Sequence, residues 1–222
     1  MQIFGCMEGN RGDLSFYLEA EIGKEYSIGK DFIFSDKKVF IYIDGTITRL
    51  SDKAKQISKS YEPLEEKIAF LFSIDFNLES HICGSFNIFL FEYRNRNLKI
   101  IRDTRGTRSL FYAKNKEDFF FSSNQKPILE KIKKLSPNKK KLIEFLNWDY
   151  RSNEETFFNE IFRLKPKHYL HFRDRSFCTK EYILSRDLFD EIDSNDIQES
   201  FKNFLYKAVS GMADKNKKIG VM

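Results

Sequence analysis

The sequence lacks any apolar run that approaches the roughly 20 residues needed to cross a bilayer. Its first residues, MQIFGCMEGNRGD, also lack the charged start and the long apolar core of a signal peptide. These two absences predict a cytoplasmic protein without a membrane partner.

Cysteine is scarce. Cys6, Cys83 and Cys178 are odd in number and far apart, without the paired spacing of a zinc site. We therefore expect no metal site and three reduced thiols, with Cys83 and Cys178 in structural roles.

Excess charge is small, with a net +5 from 38 basic and 33 acidic residues. The basic residues are dispersed except in Lys126–Lys141, where a solvated helix surface is the expected role and contact with an anionic partner is the alternative. No finger, helix-turn-helix or RNP signature accompanies this basic stretch, so we expect no nucleic-acid partner.

Aromatic residues are abundant, with 24 Phe in 222 residues, and the chain can bury the core of one domain or slightly more. Phe86–Tyr93 is apolar on both alternating faces, which predicts a central strand covered on both sides. Polar turns predict two successive hairpins, one of Phe86–Tyr93 with Leu98–Arg102 and one of Leu110–Ala113 with Phe119–Ser122.

Other elements are expected on both sides of this region. The expected strands are Gln2–Met7, Phe16–Ile22, a hairpin of Phe32–Phe34 with Val39–Ile43 that ends at Asp44-Gly45, and a last hairpin of His168–Arg173 with Phe177–Tyr182. The expected helices are Pro63–Phe76, Gln125–Leu135, Asn138–Trp148 and Glu154–Ile161. Two sheets packed between helices, a four-layer αββα sandwich of the α+β class, accommodate this order.

Several motifs are shared with one known family. Residues 102–112 read RDTRGTRSLFY, residues 84–86 read GSF, and residues 121–126 read FSSNQK. They resemble, at matching spacing, the "RD-x-x-G-x-x-PLYY", "G-x-F" and "F-A-S-E-x-K" motifs of the glutaminase-like domain of asparagine synthetases. Residues 161–170 resemble that family's "I-x-x-L-x-P-G-H-Y-L", with Lys167 in place of Gly. We therefore expect that the turn at Lys167 does not need a glycine conformation.

The resemblance implies the same αββα fold over residues 1–184, a linker over 185–193, and the first helix and strand of an ATP-pyrophosphatase-type synthetase domain over 194–222. Asn195 is the expected N-cap of that helix. One apolar stripe is expected on the helix, formed by Ile197, Phe201, Phe204, Leu205, Ala208 and Met212. The family's ATP loop, "LSGGLDSS", would follow Met222. We thus expect no cofactor on this chain, and ATP with magnesium for the complete architecture.

In the family an N-terminal Cys is the nucleophile, and its own α-amino group is the base. This chain starts MQIFGC where the family has "M-C-G-I-F-G", so aligning Ile3–Gly5 on "I-F-G" leaves no Cys in the required place. The alternative is that Cys6 is the nucleophile after removal of the first five residues.

The expected equivalents of the family's substrate pocket are Asp44, Gly45 and Gly84. Asp44 replaces the oxyanion-binding Asn of "N-G-E-I-Y-N", and an ionised carboxylate has the wrong sign for that role. Residues 23–30 contain no Arg where the family's "H-R-G-P-D" loop holds the glutamine carboxylate. The acidic ligand that precedes the family's "G-x-F" cannot be placed, and His81 is expected at the surface or bonded to backbone.

The sequence therefore predicts an inactive glutaminase-like domain of an ATP-dependent, amide-bond-forming synthetase. Two offshoots of the family that resemble this pattern are β-lactam synthetases and the macrolactam synthetases of lasso-peptide pathways. The alternatives are a glutamine-hydrolysing asparagine synthetase and a truncated homologue that acts as a protein-binding module. Expected partners are the missing synthetase domain or another protein on the Ile197/Phe201/Leu205/Met212 face, a peptide substrate, or a second copy in a homodimer.

Overall fold

The computed structural model describes residues 2–7, 14–19, 29–115, 118–148, 155–173, 176–189 and 196–212. Within these ranges the strands form two antiparallel sheets. The five-stranded sheet has the order β2-β1-β8-β7-β9 and consists of β1 (Gln2–Met7), β2 (Leu14–Glu19), β7 (Phe111–Asn115), β8 (Asp118–Ser122) and β9 (Ile161–Arg163). The six-stranded sheet has the order β11-β10-β6-β5-β4-β3 and consists of β3 (Lys30–Phe34), β4 (Lys37–Leu50), β5 (Ile82–Glu92), β6 (Asn97–Arg102), β10 (His168–Arg173) and β11 (Ser176–Glu181).

Five α-helices are present among the described residues. They are α1 (Asp52–Ile57), α2 (Leu64–Ser73), α3 (Lys126–Lys131), α4 (Lys139–Trp148) and α5 (Ile197–Met212). Ser51 is the N-cap of α1, and its Oγ accepts a hydrogen bond from the Ala54 amide at 3.1 Å. None of these helices is long and apolar enough to span a bilayer.

Three clusters of buried apolar residues separate four layers. The first lies between α1 and α2 and the six-stranded sheet, and includes Ile68, Leu71 and Phe86. The second fills the space between the sheets and includes Phe89 and Phe121. The third lies between the five-stranded sheet and α3, around Ile128. The structure thus confirms the predicted α+β fold with its αββα layers.

Strand β5 is internal to the six-stranded sheet, between β4 and β6. Phe86, Ile88 and Leu90 enter the cluster under the helices. Phe89 and Phe91, on the other face, enter the cluster between the sheets. The prediction of a central strand covered on both sides is therefore confirmed, and it followed from apolar residues on both faces of a period of two.

Several elements have boundaries that differ from those predicted, and two of these differences have a clear physical cause. Strand β4 does not end at Asp44-Gly45 but continues to Leu50, because β5 is long enough to pair with it as far as Ile82. Helix α3 ends at Lys131, because Ile132 turns to an extended conformation and is buried against the five-stranded sheet.

The predicted helix Glu154–Ile161 is wrong in its described part, residues 155–161. Thr156 Oγ1 donates to the Ile161 carbonyl at 2.8 Å, and Phe158 forms a β-bridge with Pro137. These contacts hold the chain in a compact turn that delivers buried Ile161 to β9. Helix α1 was not predicted, since Ala54 is its one buried residue and the segment has no apolar stripe.

The first residues of the expected linker pack against the domain. The Ser185 amide donates to the Ser80 carbonyl at 2.8 Å, Asp187 Oδ2 accepts from the Asp52 amide at 3.0 Å, and Leu188 is buried. Residues 190–195, with the expected N-cap, and the expected strand over 218–222 lie outside the described residues. The division into 1–184, 185–193 and 194–222 stays a prediction.

Helix α5 exposes most of the expected stripe. Large apolar side chains that are more than half exposed on this helix are Ile197, Phe201, Phe204, Leu205, Tyr206 and Val209.

Candidate functional site

A group of polar side chains lies at one end of the core between the sheets. Asp44 on β4 stands directly opposite Asn87 on β5. Because successive side chains alternate, Asp44 shares a face with Tyr42, and Asn87 shares it with Phe89, and both rings belong to the inter-sheet core. We call Asp44, Asn87 and Arg108 the Asp44 cluster.

Asp44 is nearly buried, with 9% of its surface exposed. Its Oδ1 accepts a hydrogen bond from Arg108 Nη1 at 2.8 Å, and the Asn87 amide donates to the same carboxylate. Burial raises the pKa of Asp44 above its ordinary value of 3.8, while Arg108 and Asn87 oppose that rise. The carboxylate is therefore held by two donors of the protein itself.

Asn87 is completely buried. Its Nδ2 approaches the Ser109 carbonyl at 3.4 Å in addition to Asp44. Its Oδ1 has no hydrogen-bond partner among the described residues. The amide donor of Asn87 is thus directed toward Asp44 and a backbone carbonyl.

Gly45 and Gly84 bring β4 and β5 close together beside the cluster. Both have positive φ, +123° at Gly45 and +155° at Gly84. A Cβ at Gly45 would lie 2.1 Å from the Ser85 carbonyl oxygen, and one at Gly84 would lie 2.3 Å from that of Thr46. No side chain larger than hydrogen fits at either position without movement of backbone. The structure therefore places Asp44, Gly45 and Gly84 near one another on the paired strands β4 and β5.

Arg102 organises the loop that carries Arg108. Its guanidinium is buried and donates to three backbone carbonyls: Arg108 at 2.8 Å, Gly106 at 2.7 Å and Leu164. Burial lowers the pKa of Arg102 to about 10, so the group stays charged at neutral pH. Arg102, the first residue of the "RD" motif, thus holds three backbone carbonyls together through its guanidinium.

Asp103 holds the same loop from its other side. Its carboxylate accepts from the Arg105 amide at 2.8 Å, the Phe86 amide at 3.3 Å and the Thr107 hydroxyl at 2.7 Å. Since the Thr107 proton is used in that bond, Ser85 Oγ, 2.7 Å from Thr107 Oγ1, is the donor of the next one. The loop is thereby tied to β5 beside the glycines.

The turn at Lys167 also attaches to this loop and corrects one expectation. Lys167 has φ +60°, which is the left-handed conformation that glycine favours, so replacing the family's Gly did not change the turn. The Lys167 amide donates to the Asp103 carbonyl at 3.0 Å, and the Lys167 carbonyl accepts from the Tyr182 amide at 3.1 Å. These two bonds, and the ion pair of Lys167 with Glu181 at 3.0 Å, hold a side chain in this strained region.

Cys6 lies away from the Asp44 cluster. Its side chain is half-buried and packs against the cluster under α3, around Phe120 and Ile128. Its neighbour Met7 faces the opposite side, into the core between the sheets. In this structure Cys6 contributes to packing between a sheet and a helix.

The imidazole of His81 forms a hydrogen bond with a side chain and not with backbone. Its Nδ1 lies 2.8 Å from Ser51 Oγ, and burial lowers its pKa. The segment 23–28, part of the stretch that the resemblance aligns with the family's Arg loop, lies outside the described residues. Among the described residues, no three His, Cys, Asp or Glu side chains are grouped so as to hold a metal ion.

Asn87 and Arg108 were missed by sequence reasoning. Asn87 is the one polar side chain between Phe86 and Leu90 of an otherwise apolar strand, and Arg108 lies inside the "RD" motif. Both signals were visible. Their convergence on Asp44 was not, because Arg108 and Asp44 are 64 residues apart.

The segment that contains Arg102 and Arg108 is similar to a known protein family. A family described as glutamine amidotransferase domain matches residues 74–183. Residues 74–183 are therefore glutamine amidotransferase-like. Gly84, Asn87 and Arg108 lie within the matched residues, whereas Asp44 and Cys6 precede them.

Two solved structures are similar to this chain at low identity. One is a glutamine phosphoribosylpyrophosphate amidotransferase from B. subtilis complexed with ADP and GMP, with 10% identity and a TM-score of 0.45 over 81% of this chain and 42% of that chain. The other is the allosteric regulatory enzyme of purine biosynthesis, with 9% identity and a TM-score of 0.35 over 66% and 29% of the two chains. The present chain therefore spans less than half of either protein. No curated protein sequence matches it.

Proposed function

We propose that this chain is the non-hydrolysing, glutaminase-like domain of an ATP-dependent synthetase that forms amide bonds. The observation that carries the proposal is the carboxylate of Asp44, nearly buried and bonded to Arg108, where the resembling family has an amide that binds the oxyanion. We assign the complete protein to the asparagine synthetase family, as a peptide macrolactam or β-lactam type.

Hydrolysis of an amide builds negative charge on the carbonyl oxygen, and the site must offer donors to that charge. Asp44 accepts hydrogen bonds and repels an anion. The amide donor of the Asp44 cluster, Asn87 Nδ2, is directed at Asp44 and at the Ser109 carbonyl. Loss of a single oxyanion donor typically lowers kcat by about 10²–10³, and a carboxylate in its place adds repulsion to that loss.

The position of the sulfur supports the same proposal. Cys6 packs toward α3, whereas the Asp44 cluster is on the face of its sheet that lines the core between the sheets. A nucleophile must approach the carbon whose oxygen the donors stabilise. Cys6 and the Asp44 cluster do not meet that condition.

A synthetase of this kind needs no glutaminase when the attacking amine belongs to the substrate. The second domain would adenylate a carboxylate with ATP and magnesium, and an amine of the same substrate, such as a peptide, would displace AMP. The glutaminase-like domain would then be kept for its fold and its contacts.

Two measurements test the proposal separately. Purified protein incubated with glutamine is expected to release no ammonia above the background of heat-denatured protein, with a known glutaminase as positive control. Sustained release would show a working glutaminase and favour a glutamine-hydrolysing asparagine synthetase. Sequencing of the gene beyond codon 222 tests the synthetase, which requires an in-frame "SGGLDS" a few codons further on.

A second candidate function rests on α5. Its large apolar side chains are exposed on the described part of the protein, with Phe201 at 65% and Leu205 at 53%. Such a face is typical of a surface that binds another protein. A stop codon directly after codon 222 would favour this binding module over the synthetase.

A further inference from the structure

A cleft of about 340 Å³ lies beside the end of β4. Four consecutive residues of this strand line it, namely Ile47, Thr48, Arg49 and Leu50. Successive side chains of a strand point to opposite faces of its sheet, so a cleft on one face would contact every second residue. Contact with all four residues therefore places the cleft along an edge of β4.

This edge of β4 is the one that β5 does not occupy. Strand β5 pairs with β4 as far as Leu50, whereas β3 pairs with the other edge only from Lys37 to Ile41. Among the described residues, no further strand lies along that edge beyond Ile41. An extended peptide can add to such an edge through main-chain hydrogen bonds.

The floor of the cleft is apolar. Leu50 is buried in the cluster between the helices and the six-stranded sheet, and Ile47 and Leu64 pack against the same cluster. Alternate side chains of an added strand would point to this face of the sheet. The cleft therefore offers apolar contacts to side chains as well as an edge to main chain.

The rim of the cleft has an excess of positive charge. Its charged residues are Arg49, Lys55, Lys67 and Glu62. The single carboxylate, Glu62, pairs with Lys67. Lys55 Nζ lies 2.8 Å from Asp52 Oδ1, but this pair is exposed, with 53% and 80% of the two side chains accessible. Exposed pairs are weak, and an ammonium group has three donors, so the rim favours a further acidic group.

We propose that the cleft binds an extended acidic peptide, which adds to the edge of β4 at residues 47–50. The main chain of the peptide pairs with the strand, an apolar side chain enters the floor, and a carboxylate meets Lys55 on the rim. Ile47 is three residues from Asp44, about 10 Å along the strand, so the peptide lies beside the candidate site. The inference rests on the proposed function only for the identity of the peptide, as the substrate of a macrolactam-type synthetase.

Fluorescence anisotropy with labelled synthetic peptides measures the binding. The probe is the fluorescein-labelled peptide TVEVTV, which alternates apolar and polar side chains and has one carboxylate. One control peptide has lysine in place of the glutamate, and the other has methyl groups on its central backbone nitrogens, which prevents strand pairing. The glutamate peptide is expected to bind saturably, and both controls should bind at least about tenfold more weakly.

Matched variants of the protein locate the site. Lys55→Glu reverses a charge on the rim and should weaken binding of the glutamate peptide by about fivefold or more, because attraction becomes repulsion. Lys53→Glu is the control, since Lys53 is exposed on the same helix and does not line the cleft. It is expected to leave the binding unchanged. Far-ultraviolet circular dichroism checks that both variants fold.

Hydrogen exchange followed by mass spectrometry tests the strand pairing itself. Amides on the outer edge of residues 47–50 should exchange quickly in the protein alone. Saturating glutamate peptide should slow this exchange by at least about tenfold, because new main-chain hydrogen bonds protect the amides.

Four outcomes would overturn the proposal. They are an absence of saturable binding, equal binding of the methylated peptide, equal effects of Lys55→Glu and Lys53→Glu, and slow exchange at residues 47–50 before peptide is added. The second would reduce the interaction to charge alone, and the fourth would show that the edge is already covered. All four concern the cleft, whereas ammonia release from glutamine would contradict the proposed function whether or not the peptide binds.

Discussion

Truncation of Phe89 to Ala tests the central layer of the fold. The Phe89 side chain is 1% exposed and lies between the sheets. Its ring stacks on that of Phe121, with centroids 5.5 Å apart, and lies 6.0 Å from the ring of Tyr42. Phe89→Ala therefore removes a large side chain from the contact between the two sheets.

The expected loss follows from these contacts. Complete burial of a Phe side chain contributes about 1.5–3 kcal/mol. Each aromatic pair adds about 0.5–1.5 kcal/mol, and a cavity remains where neighbours cannot close in. We expect the free energy of unfolding to fall by about 3–5 kcal/mol, the range found for such truncations.

Urea unfolding followed by circular dichroism measures this loss. The matched control is Ile33→Ala on edge strand β3, where the side chain is 73% exposed, and its effect should stay within about 0.5 kcal/mol. If Phe89→Ala costs less than about 1 kcal/mol, the value of an exposed site, the packing of the two sheets as described is refuted.

Three further predictions concern the site and its surroundings. Arg102→Met leaves three backbone carbonyls without their buried donor, so the free energy of unfolding should fall by about 3 kcal/mol or more, whereas exposed Arg105→Met should change it little. If urea unfolding shows an equal loss of stability in both variants, the structural role of the Arg102 hydrogen bonds is contradicted. Burial raises the folded-state pKa of Asp44, so its ionisation opposes folding as pH rises through that pKa. The stability of Asp44→Asn relative to wild type should therefore increase from pH 3 to pH 7. If paired thermal scans show that this stability difference decreases over the same range, the raised pKa of Asp44 is contradicted. Limited proteolysis should spare residues 185–189, because Leu188 is buried, and early cleavage there would count against the observed packing.

The elements that the sequence predicted well are those with strong local periodicity. Strand β5 has apolar residues on both faces, and α2 begins after Pro63 with Glu65 and Glu66 in its first turn, so that both patterns are visible within a dozen residues. Helix α1 was not predicted, because Ala54 is its one buried residue, although Ser51 was a recognisable N-cap. Burial of a whole stripe gives a periodic signal, and burial of one small residue does not.

The site was less predictable, because its geometry depends on contacts between distant segments. Asp44 was recognised as a carboxylate of unfavourable sign, but nothing local indicated that Arg108 would donate a hydrogen bond to it from a loop 64 residues away. The left-handed turn at Lys167 was likewise hidden, since the residue type argued against it and only bonds to Asp103 and Tyr182 show how it is held. Tertiary hydrogen bonds outweighed local preference at both places.

The proposal that this domain does not hydrolyse glutamine is tested most directly by intact-mass spectrometry after treatment with a chloroketone analogue of glutamine. Such a reagent labels a thiolate that is aligned with a glutamine pocket. The account predicts no adduct, because Cys6 packs toward α3 and Asp44 stands where an oxyanion donor is required. One adduct per chain at Cys6, on protein that has lost its first five residues, would contradict it.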